Sequence, residues 1–437
     1  MKKLFTLLLC LFFVVSSVNA QQKGGFYPGT IHYLGEGMIT TVSPNGNYAA
    51  GFIFGFGSLL WTKEGGVITL SGEGSQANCV SDNGVVAGRF YDCSLPYRFW
   101  DPWEEMEMPL LSGGYYKDGE WHSLGIDPDV PEEDVHEDSG SNAEGISADG
   151  TIIGGSMDQG NWALKPVVWT NGEPATWEFE ENASQGAKIR ALSADGTVAC
   201  GWASDNDYIW APVIWINGVM RHITHDGAWN AGDAFKVSPN GKYVSLDYMG
   251  EAAIYDVELD ELTIIETGTV FGASATAVSD DGIVVGYFAL GFMERQAFIY
   301  TKHVGVMKLG EYLALIGIPD TEGLELETPM GISADGLRIG GFGWEVGAWV
   351  IEIDEHIVGI KTLPNEAHFN VFPNPASDNI YIQGEKFVKA ALYDMRGQLV
   401  LHSTNPNINI STLPAGNYIL KIESEDGCVV TQKIVKR

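Results

Sequence analysis

Short apolar segments alternate with tight polar turns along most of the chain, and one phrase recurs. It occurs as ISADGTIIGG from position 146, LSADGTVACG from 192, VSDDGIVVG from 278 and ISADGLRIGG from 332. Each copy places an apolar strand before an Asp-Gly turn and a second one after it. Because Asp-Gly between two apolar strands is a strong hairpin signal, the pattern predicts repeated β-hairpins rather than helices.

Aligning the chain on this phrase gives seven copies. Their turn glycines are Gly46, Gly84, Gly150, Gly196, Gly241, Gly282 and Gly336. A serine stands three residues before each glycine, at Ser43, Ser81, Ser147, Ser193, Ser238, Ser279 and Ser333. The residue before the glycine is Asp or Asn, which bonds its own turn, and Gly accepts positive φ without steric cost. We expect the serine hydroxyl to cap the turn from inside.

The residues after each turn predict further strands. The fourth residue after each glycine is small, namely Ala50, Gly88, Gly154, Cys200, Ser245, Gly286 and Gly340, which indicates crowding near an axis. An aromatic residue follows 13 to 19 positions after each glycine, at Trp61, Trp100, Trp169, Trp215, Tyr255, Tyr300 and Trp349. We expect it on a third strand, packed between neighbouring sheets, with a fourth strand beyond it.

The repeat length indicates the architecture. The six steps between the turn glycines cover 290 residues, and four strands at such a period are typical of a β-propeller. The predicted fold is all-β, a seven-bladed propeller of four-stranded blades over residues 21–354. The strand at 29–37 should pair into the last blade and remove its exposed edge. Six or eight blades remain alternatives, because the step from Gly84 to Gly150 spans 66 residues.

One repeat contains the sequence QAFIY at 296–300, which is similar to a known repeat motif. Residues 29–354 loosely resemble the extracellular β-propeller repeats named for a His-Ala-Phe signature. This resemblance implies a fold and no activity.

The two ends of the chain carry export signals. Residues 1–20, MKKLFTLLLCLFFVVSSVNA, combine two lysines, an apolar run and a small-residue exit, which predicts a signal peptide cleaved before Gln21. No other stretch approaches the roughly 18 apolar residues of a membrane helix, so no transmembrane segment is predicted.

After a linker at 355–368, residues 369–437 alternate apolar strands with turns such as PNP and LPAGNY, which predicts a small β-sandwich. This segment resembles the C-terminal sorting domain of the type IX (Por) secretion system of Bacteroidetes. The matching positions include Pro373, Asn374, Pro375, Gly397, Gly416 and Tyr418. The resemblance implies contact with the type IX machinery, passage across the outer membrane, removal of the tail, and frequent anchoring on surface polysaccharide.

The net charge of the chain disfavours some classes of binding partner. The chain has 57 acidic and 25 basic residues, for a net charge of -32, which disfavours nucleic acid and anionic lipid. The acidic segment 125–140 contains a candidate calcium site at Asp127, Asp129, Glu132, Glu133 and Asp134. Its spacing departs from the EF-hand loop, so a solvated acidic loop is the alternative, and no other cofactor is expected.

Cys79 and Cys93 flank one hairpin and either pair or remain free thiols.

No catalytic motif emerges from the chain. GxSxG, phosphate-loop and HExxH patterns are absent from the sequence, and the Ser-x-Asp-Gly turns lack the later Gly and Trp of a sialidase Asp-box. If the Ser turns share one face, the longer loops share the opposite face. That face carries the candidate ligand-binding residues Trp202, Tyr208, Trp210 and Trp229. The sequence favours a surface binding protein for a glycan, a surface polysaccharide or a protein, with a carbohydrate-active hydrolase or lyase as the alternative.

Overall fold

The computed structural model describes residues 29–72, 74–101, 106–180, 184–204, 209–224, 230–269, 271–291, 294–302, 304–318, 321, 326–354, 369–384, 387–394, 399–424 and 429–437. The chain forms two compact units, Met1–His356 and Ile357–Arg437. The predicted signal peptide and the linker at 355–368 lie outside the described residues.

Seven four-stranded antiparallel sheets account for most of the described residues between 29 and 354. The last sheet also contains the first strand of the chain, β1 (Gly29–Gly35). The first sheet contains β2 (Met38–Val42), β3 (Tyr48–Ile53), β4 (Gly57–Thr62) and β5 (Gly66–Thr69). The second contains β6 (Gln76–Val80), β7 (Val86–Tyr91), β10 (Leu111–Lys117) and β11 (Glu120–Ser123), with a two-stranded hairpin of β8 (Arg98–Asp101) and β9 (Met106–Pro109) inserted between β7 and β10. The third contains β12 (Asn142–Ile146), β13 (Ile152–Asp158), β14 (Leu164–Thr170) and β15 (Glu173–Thr176), and the fourth contains β16 (Ala187–Leu192), β17 (Val198–Ser204), β18 (Trp210–Ile216) and β19 (Val219–His222).

The remaining sheets repeat the same meander. They are formed by β20 (Gly232–Val237), β21 (Tyr243–Tyr248), β22 (Glu251–Asp256) and β23 (Glu261–Ile264); β24 (Ala273–Val278), β25 (Val284–Ala289), β26 (Arg295–Thr301) and β27 (Gly305–Lys308); and β28 (Thr328–Ile332), β29 (Arg338–Gly343) and β30 (Gly347–Ile353) with β1. Two short helices lie between sheets, a 3-10 helix at Glu132–Asp134 and α1 at Leu309–Leu315. As predicted, β1 completes the last sheet by antiparallel pairing with β30, from Gly29 opposite Ile353 to Tyr33 opposite Trp349.

The predicted serine caps are present in all seven turns. Each serine is at most 1% exposed, and its Oγ accepts the backbone N–H of the residue that begins the next strand or stands immediately before it. The donors are Tyr48, Val85, Ile152, Val198, Tyr243, Ile283 and Arg338, at 2.9 to 3.1 Å. The donor lies four residues after the serine in the second and sixth turns and five residues after it elsewhere. In the second and sixth sheets, the strand that follows the turn is therefore shifted by one residue relative to the sequence alignment.

Hydrogen bonds join the seven turns into a closed ring. The residue after the serine donates its N–H to the carbonyl of the same position in the next turn. These bonds, of 2.8 to 3.0 Å, are Asp82 to Ala148, Ala148 to Ala194, Ala194 to Pro239, Asp280 to Ala334, and Ala334 to Pro44. The ring shows that the sheets follow one another around an axis, with the Ser turns on a common face, here called the turn face. This arrangement is a β-propeller.

Two junctions of the ring need a different bond because proline has no N–H. Where Pro44 occupies the donor position, the N–H of Asn45 donates instead to Oδ1 of Asp82 in the next turn, at 2.7 Å. The same bond of 2.7 Å joins Asn240, after Pro239, to Asp280. An Asp thus follows the serine in the two turns that succeed a proline-containing turn.

The second sheet corrects one sequence expectation. Trp100 lies in the inserted β8–β9 hairpin and is 61% exposed, whereas the third strand of this sheet is β10. There Tyr116 lies opposite Val86, as Trp61 lies opposite Ala49 in the first sheet. The inserted hairpin also has an aromatic residue at the expected spacing, which caused the misassignment. In the described residues of the long step, this hairpin and the 3-10 helix take the place of a further four-stranded sheet.

Buried aromatic side chains fill the space between sheets, as expected. Trp169, Trp215 and Trp349 are fully buried, whereas Tyr300 is half-buried. The three cysteines of this unit that the structure describes are free: Cys79 and Cys200 are buried, and Cys93 is exposed. The alternative of a Cys79–Cys93 disulfide is therefore not what the structure shows.

The second unit contains two antiparallel sheets around one hydrophobic cluster. Its strands are β31 (Asn370–Phe372), β32 (Asn379–Gln383), β33 (Phe387–Tyr393), β34 (Leu399–Ser403), β35 (Asn407–Asn409), β36 (Gly416–Ser424) and β37 (Val429–Lys436). One sheet has the order β31-β32-β35 and the other β34-β33-β36-β37. Ile380 and Ile408 from the first sheet share the cluster with Leu392, Leu420 and Ile434 from the second.

Candidate functional site

Each sheet carries one β-bulge in its innermost strand, always three residues before the turn serine. The bulged residues are Thr40, Asn78, Glu144, Arg190, Phe235, Thr276 and Met330. In six sheets a glycine of the second strand lies against the bulge, at Gly51, Gly88, Gly155, Gly201, Gly286 and Gly341. A Cβ at these glycines would lie 1.8 to 2.3 Å from an inner-strand carbonyl oxygen. Bulges of this kind re-aim one side chain per strand.

All seven bulged side chains line a single cavity of about 240 Å³, here called the axial depression. Its wall is completed by Lys236, Tyr287, Arg295 and Thr328. The residues one and two positions before each turn serine line a narrow channel, and the bulged residues lie one position farther from the Ser turns. The axial depression therefore lies above this channel and opens on the opposite face of the propeller. We call this opposite face the mouth face.

Ion pairs join consecutive sheets on the charged side of the axial depression. Oε1 of Glu144 lies 2.7 Å from Nζ of Lys188 in the next sheet. In turn, Arg190 contacts Asp233 of the following sheet, with Nη2 2.6 Å from Oδ2 and Nε 3.1 Å from the same oxygen. Two parallel donors on one carboxylate fix the orientation of the guanidinium.

The carboxyl groups of these two ion pairs differ electrostatically. Burial acts to raise the pKa of Glu144, but the charges of Lys188 and Arg190 outweigh it, so this pKa lies below its usual value. Burial also raises the pKa of Asp233, and there the attraction of Arg190 offsets only part of the effect. Glu144 is therefore held as a carboxylate, while Asp233 takes up a proton more readily than a solvated Asp.

Two cations of the axial depression lack such a partner. Neither Lys236 nor Arg295 forms an ion pair with a carboxylate in the part of the chain that the structure describes. The guanidinium of Arg295 instead lies over the Tyr287 ring, 4.3 Å from its centroid. Lys236 lies between the axial depression and the narrow channel beneath it, since it lines both.

A second cavity of about 250 Å³ adjoins the axial depression through Arg190. This tryptophan pocket is lined by Trp162, Leu164, Gln185, Lys188, Arg190, Trp202 and Trp210. Trp202 and Trp210 stack with their ring centroids 4.6 Å apart and their planes 9° from parallel. Trp202 is 3% exposed, while Trp210 is 43% exposed and donates its Nε1–H to Gln185. The stack therefore consists of a buried support and an accessible indole.

Two of the four predicted ligand-binding aromatics are thus brought together. Tyr208 and Trp229 lie outside the described residues. Trp162 lies at the edge of the tryptophan pocket, where it is 60% exposed and stacks on His136. The sequence analysis missed the charged residues of the axial depression, including Glu144 and Arg190. One signal would have found them: the position three residues before each serine varies in character, while most of its neighbours are small or apolar.

The predicted calcium residues are dispersed. The carboxylate of Asp127 is 3% exposed and lies 2.5 Å from Nζ of Lys165, while Asp129 is almost fully exposed. The others, Glu132, Glu133 and Asp134, form the exposed 3-10 helix. Within the described ranges no three acidic, His or Cys side chains gather in a group able to hold a metal ion. Calcium binding by this segment stays a prediction.

Exposed apolar side chains surround the axial depression. In every sheet the connection between the second and third strands, which opens on the mouth face, presents at least one of them. This hairpin rim consists of Phe54, Phe56, Trp100, Trp162, Ile209, Trp210, Met249, Leu290 and Trp344, which are 42% to 68% exposed. Apolar patches ringed by polar groups mark interaction surfaces, so the rim distinguishes the mouth face from the turn face.

The sorting-motif residues have structural roles in the second unit. The side chain of Asn374 donates to the carbonyl of Lys433 at 2.7 Å and accepts the N–H of Val435 at 2.9 Å, which ties the PNP turn to the last strand. Pro373 and Pro375 follow cis peptide bonds on either side of it. Gly416 begins β36, and the Tyr418 hydroxyl donates to the carbonyl of Pro414. Gly397 lies outside the described residues.

Comparisons with known proteins identify the tail. Residues 370–437 match the family described as a secretion system C-terminal sorting domain. Beta-agarase D of Zobellia galactanivorans is 37% identical over 67 residues, which are 15% of this chain and 14% of the agarase. The chain thus spans a small fraction of that relative's length.

Two solved structures resemble the chain over about two thirds of its length. TolB from Acinetobacter baumannii has a TM-score of 0.36 and 15% identity, over 63% of this chain and 62% of that one. A putative TolB from Agrobacterium tumefaciens has a TM-score of 0.35 and 14% identity, over 65% of this chain and 89% of the other. Among the helices that the structure describes, none has the length and apolar content required to span a membrane.

Proposed function

We propose that this chain, which ends in a type IX sorting domain and is therefore exported or displayed on the cell surface, binds a ligand with its β-propeller. In this proposal the seven sheets are seven blades closed by β1, and the tail is a small β-sandwich that engages the type IX machinery. The signal peptide is cleaved before Gln21, and the tail is removed after export.

The asymmetry of the two faces supports the proposal. The turn face is closed by short capped turns that bond to one another, whereas the mouth face combines the hairpin rim with the axial depression. A bulge in every sheet aims a side chain into this depression, and the chemistry of that side chain differs from sheet to sheet. Constant architecture with variable lining is the arrangement expected of a binding site.

A glycan is the ligand class that the tryptophan pocket favours. The exposed indole of Trp210 offers a flat apolar surface, and Gln185, Lys188 and Arg190 surround it with hydrogen-bonding groups. Pyranose rings present an apolar face and polar edges, so they match this combination.

A glycan array probed with the full chain, with and without calcium, tests this proposal. We expect specific glycans to bind, the signal to be lost with Trp210→Ala, and the signal to persist with Trp100→Ala, which removes a more exposed indole outside both cavities. An array without signals, or equal losses for the two variants, would contradict glycan binding at this pocket. Signals lost on calcium removal would support the predicted calcium site.

One observation favours a second candidate, a carbohydrate-active hydrolase or lyase. Glu144 and Asp233 are neighbouring carboxyl groups whose pKa values move in opposite directions, as those of catalytic acid and base pairs do. Against it, each carboxylate is committed to an ion pair. Release of reducing ends or unsaturated products from a bound glycan, lost with Asp233→Asn, would establish catalysis.

A further inference from the structure

We propose that the bound glycan is acidic and that Lys236 and Arg295 hold its anionic group in the axial depression. This inference rests on the proposed function, because it assigns a chemical class to the ligand of the same site. It concerns two side chains of the axial depression, Lys236 and Arg295, that form no ion pair with a carboxylate among the described residues.

The distribution of charge is the first argument. The protein has more than twice as many acidic as basic residues, yet the axial depression and the tryptophan pocket are together lined by four cations and one carboxylate, Glu144. Lys188 and Arg190 are matched by Glu144 and Asp233. Lys236 and Arg295 therefore give this cavity an excess of positive charge on a strongly negative protein.

The position of these cations is the second argument. Lys236 lies at the bottom of the axial depression, where the walls exclude much of the solvent and strengthen its attraction for an anion. Arg295 is oriented by the Tyr287 ring beneath its guanidinium, so its donors are available to an acceptor such as a carboxylate or sulfate. An anion bound here would be surrounded by Thr40, Asn78 and Thr276, which are neutral and polar.

The connection to the tryptophan pocket is the third argument. Arg190 lines both cavities, and its bidentate contact with Asp233 holds it between them. A saccharide that stacks on Trp210 thus extends past Arg190 toward Lys236. An acidic peptide would also satisfy the two cations, but it would need an aromatic side chain at the matching distance to stack on the indole, whereas each ring of a sugar chain offers an apolar face, so we favour an acidic sugar.

Matched pairs of glycans provide the test, with binding to the full chain measured by titration calorimetry. Oligogalacturonate is compared with its methyl ester, which lacks the carboxylate charge, and dextran sulfate with dextran, which lacks the sulfate charge. We expect at least one charged member to bind about tenfold or more tightly than its partner, which is the effect of one charge-assisted contact. That affinity should fall as salt is raised. The first pair reports on carboxylate recognition and the second on sulfate recognition.

Substitutions then localise the effect. Lys236→Met and Arg295→Gln should each reduce the preference for the charged member about tenfold, with the affinity for the uncharged member unchanged. Lys63→Met is the matched control, because it removes a half-exposed lysine on the turn face, and it should leave both affinities as they are. Circular dichroism checks that each variant folds, and the two substitutions provide independent tests.

The outcomes separate this inference from the proposed function. Equal binding of charged and uncharged glycans, lost with Trp210→Ala, overturns the acidic ligand and leaves glycan binding intact. Charge preference that survives both cation substitutions overturns the role of the axial depression. Failure of every glycan to bind, with capture of an acidic peptide by wild type but not by Lys236→Met, overturns both proposals.

Discussion

The bond between Asn45 and Asp82 tests whether the ring of turns contributes to stability. Asp82→Ala removes the acceptor that lies 2.7 Å from the Asn45 N–H. A hydrogen bond to a charged acceptor contributes about 1.5–3 kcal/mol net, and exposure of Asn45, whose N–H water can satisfy in the variant, places this case near the lower limit. We expect a loss of about 1.5 kcal/mol in the free energy of unfolding, together with faster amide exchange at Asn45.

Two further substitutions specify the cause. Asp82→Asn keeps a side-chain oxygen that can accept the bond. It also removes a carboxylate whose charge burial disfavours, as the raised pKa of Asp82 shows, so it should cost less than Asp82→Ala. Pro44→Ala restores an N–H at the donor position, which can bond to the carbonyl of residue 82 as Ala148 bonds to that of Ala194. In the Pro44→Ala background, Asp82→Ala should therefore cost less than half as much.

The assay is urea unfolding followed by tryptophan fluorescence, combined with hydrogen–deuterium exchange of the peptide that contains Asn45. Each free energy is compared within the four-member cycle of wild type, two single variants and the double variant. An equal cost of Asp82→Ala in both backgrounds would refute the reasoning, because the aspartate would then act independently of the proline. Unchanged exchange at Asn45 in Asp82→Ala would refute it as well.

Three other predictions follow from the contacts. Because the pKa of Glu144 is lowered in the folded state, the stability that its charge contributes is complete above its ordinary pKa near 4.5 and is lost as pH falls through the lower folded value. The deficit of Glu144→Gln relative to wild type should thus be full at pH 7 and shrink in urea titrations below about pH 4.5; a deficit independent of pH would exclude the ion pair as its source. Burial raises the pKa of Cys79 to about 12, so iodoacetamide at pH 8 should label the exposed Cys93 and spare Cys79 and Cys200 until urea is added, as peptide mass spectrometry will show; early labelling of Cys79 would contradict its burial. Finally, Ile31→Pro interrupts the pairing of β1 with β30, so it should lower the free energy of unfolding by about 3 kcal/mol and promote association through the freed edge. Urea unfolding and light scattering measure the two effects, and unaltered stability would show that β1 does not close the last sheet.

Local chemistry explains why much of the fold follows from the sequence. Ser, Asp and Gly recur at fixed spacing because each turn must satisfy its own backbone groups, and those needs are the same in every repeat. Trp100 was misassigned because spacing alone cannot distinguish the third strand from an inserted hairpin that also contains an aromatic residue.

The candidate site depends on long-range register, which the sequence pattern does not express. Arg190 meets Asp233, 43 residues away, because a bulge aims one side chain across the sheet boundary. Trp202 and Trp210 were identified as exposed aromatics, yet their stacking, and the burial of one beneath the other, follows from the pairing of β17 with β18. Composition likewise indicated a negative surface and gave no sign of unpaired cations at its centre.

Hydroxyl-radical footprinting of the full chain with oligogalacturonate or dextran sulfate tests most directly whether the mouth face is the binding surface. The account predicts that either sugar lowers the oxidation of Trp210 and Trp162, while the exposed Leu259, in the connection between β22 and β23 on the turn face, is oxidised as before. Unchanged oxidation of the mouth face with both sugars, or protection centred on Leu259, would contradict it.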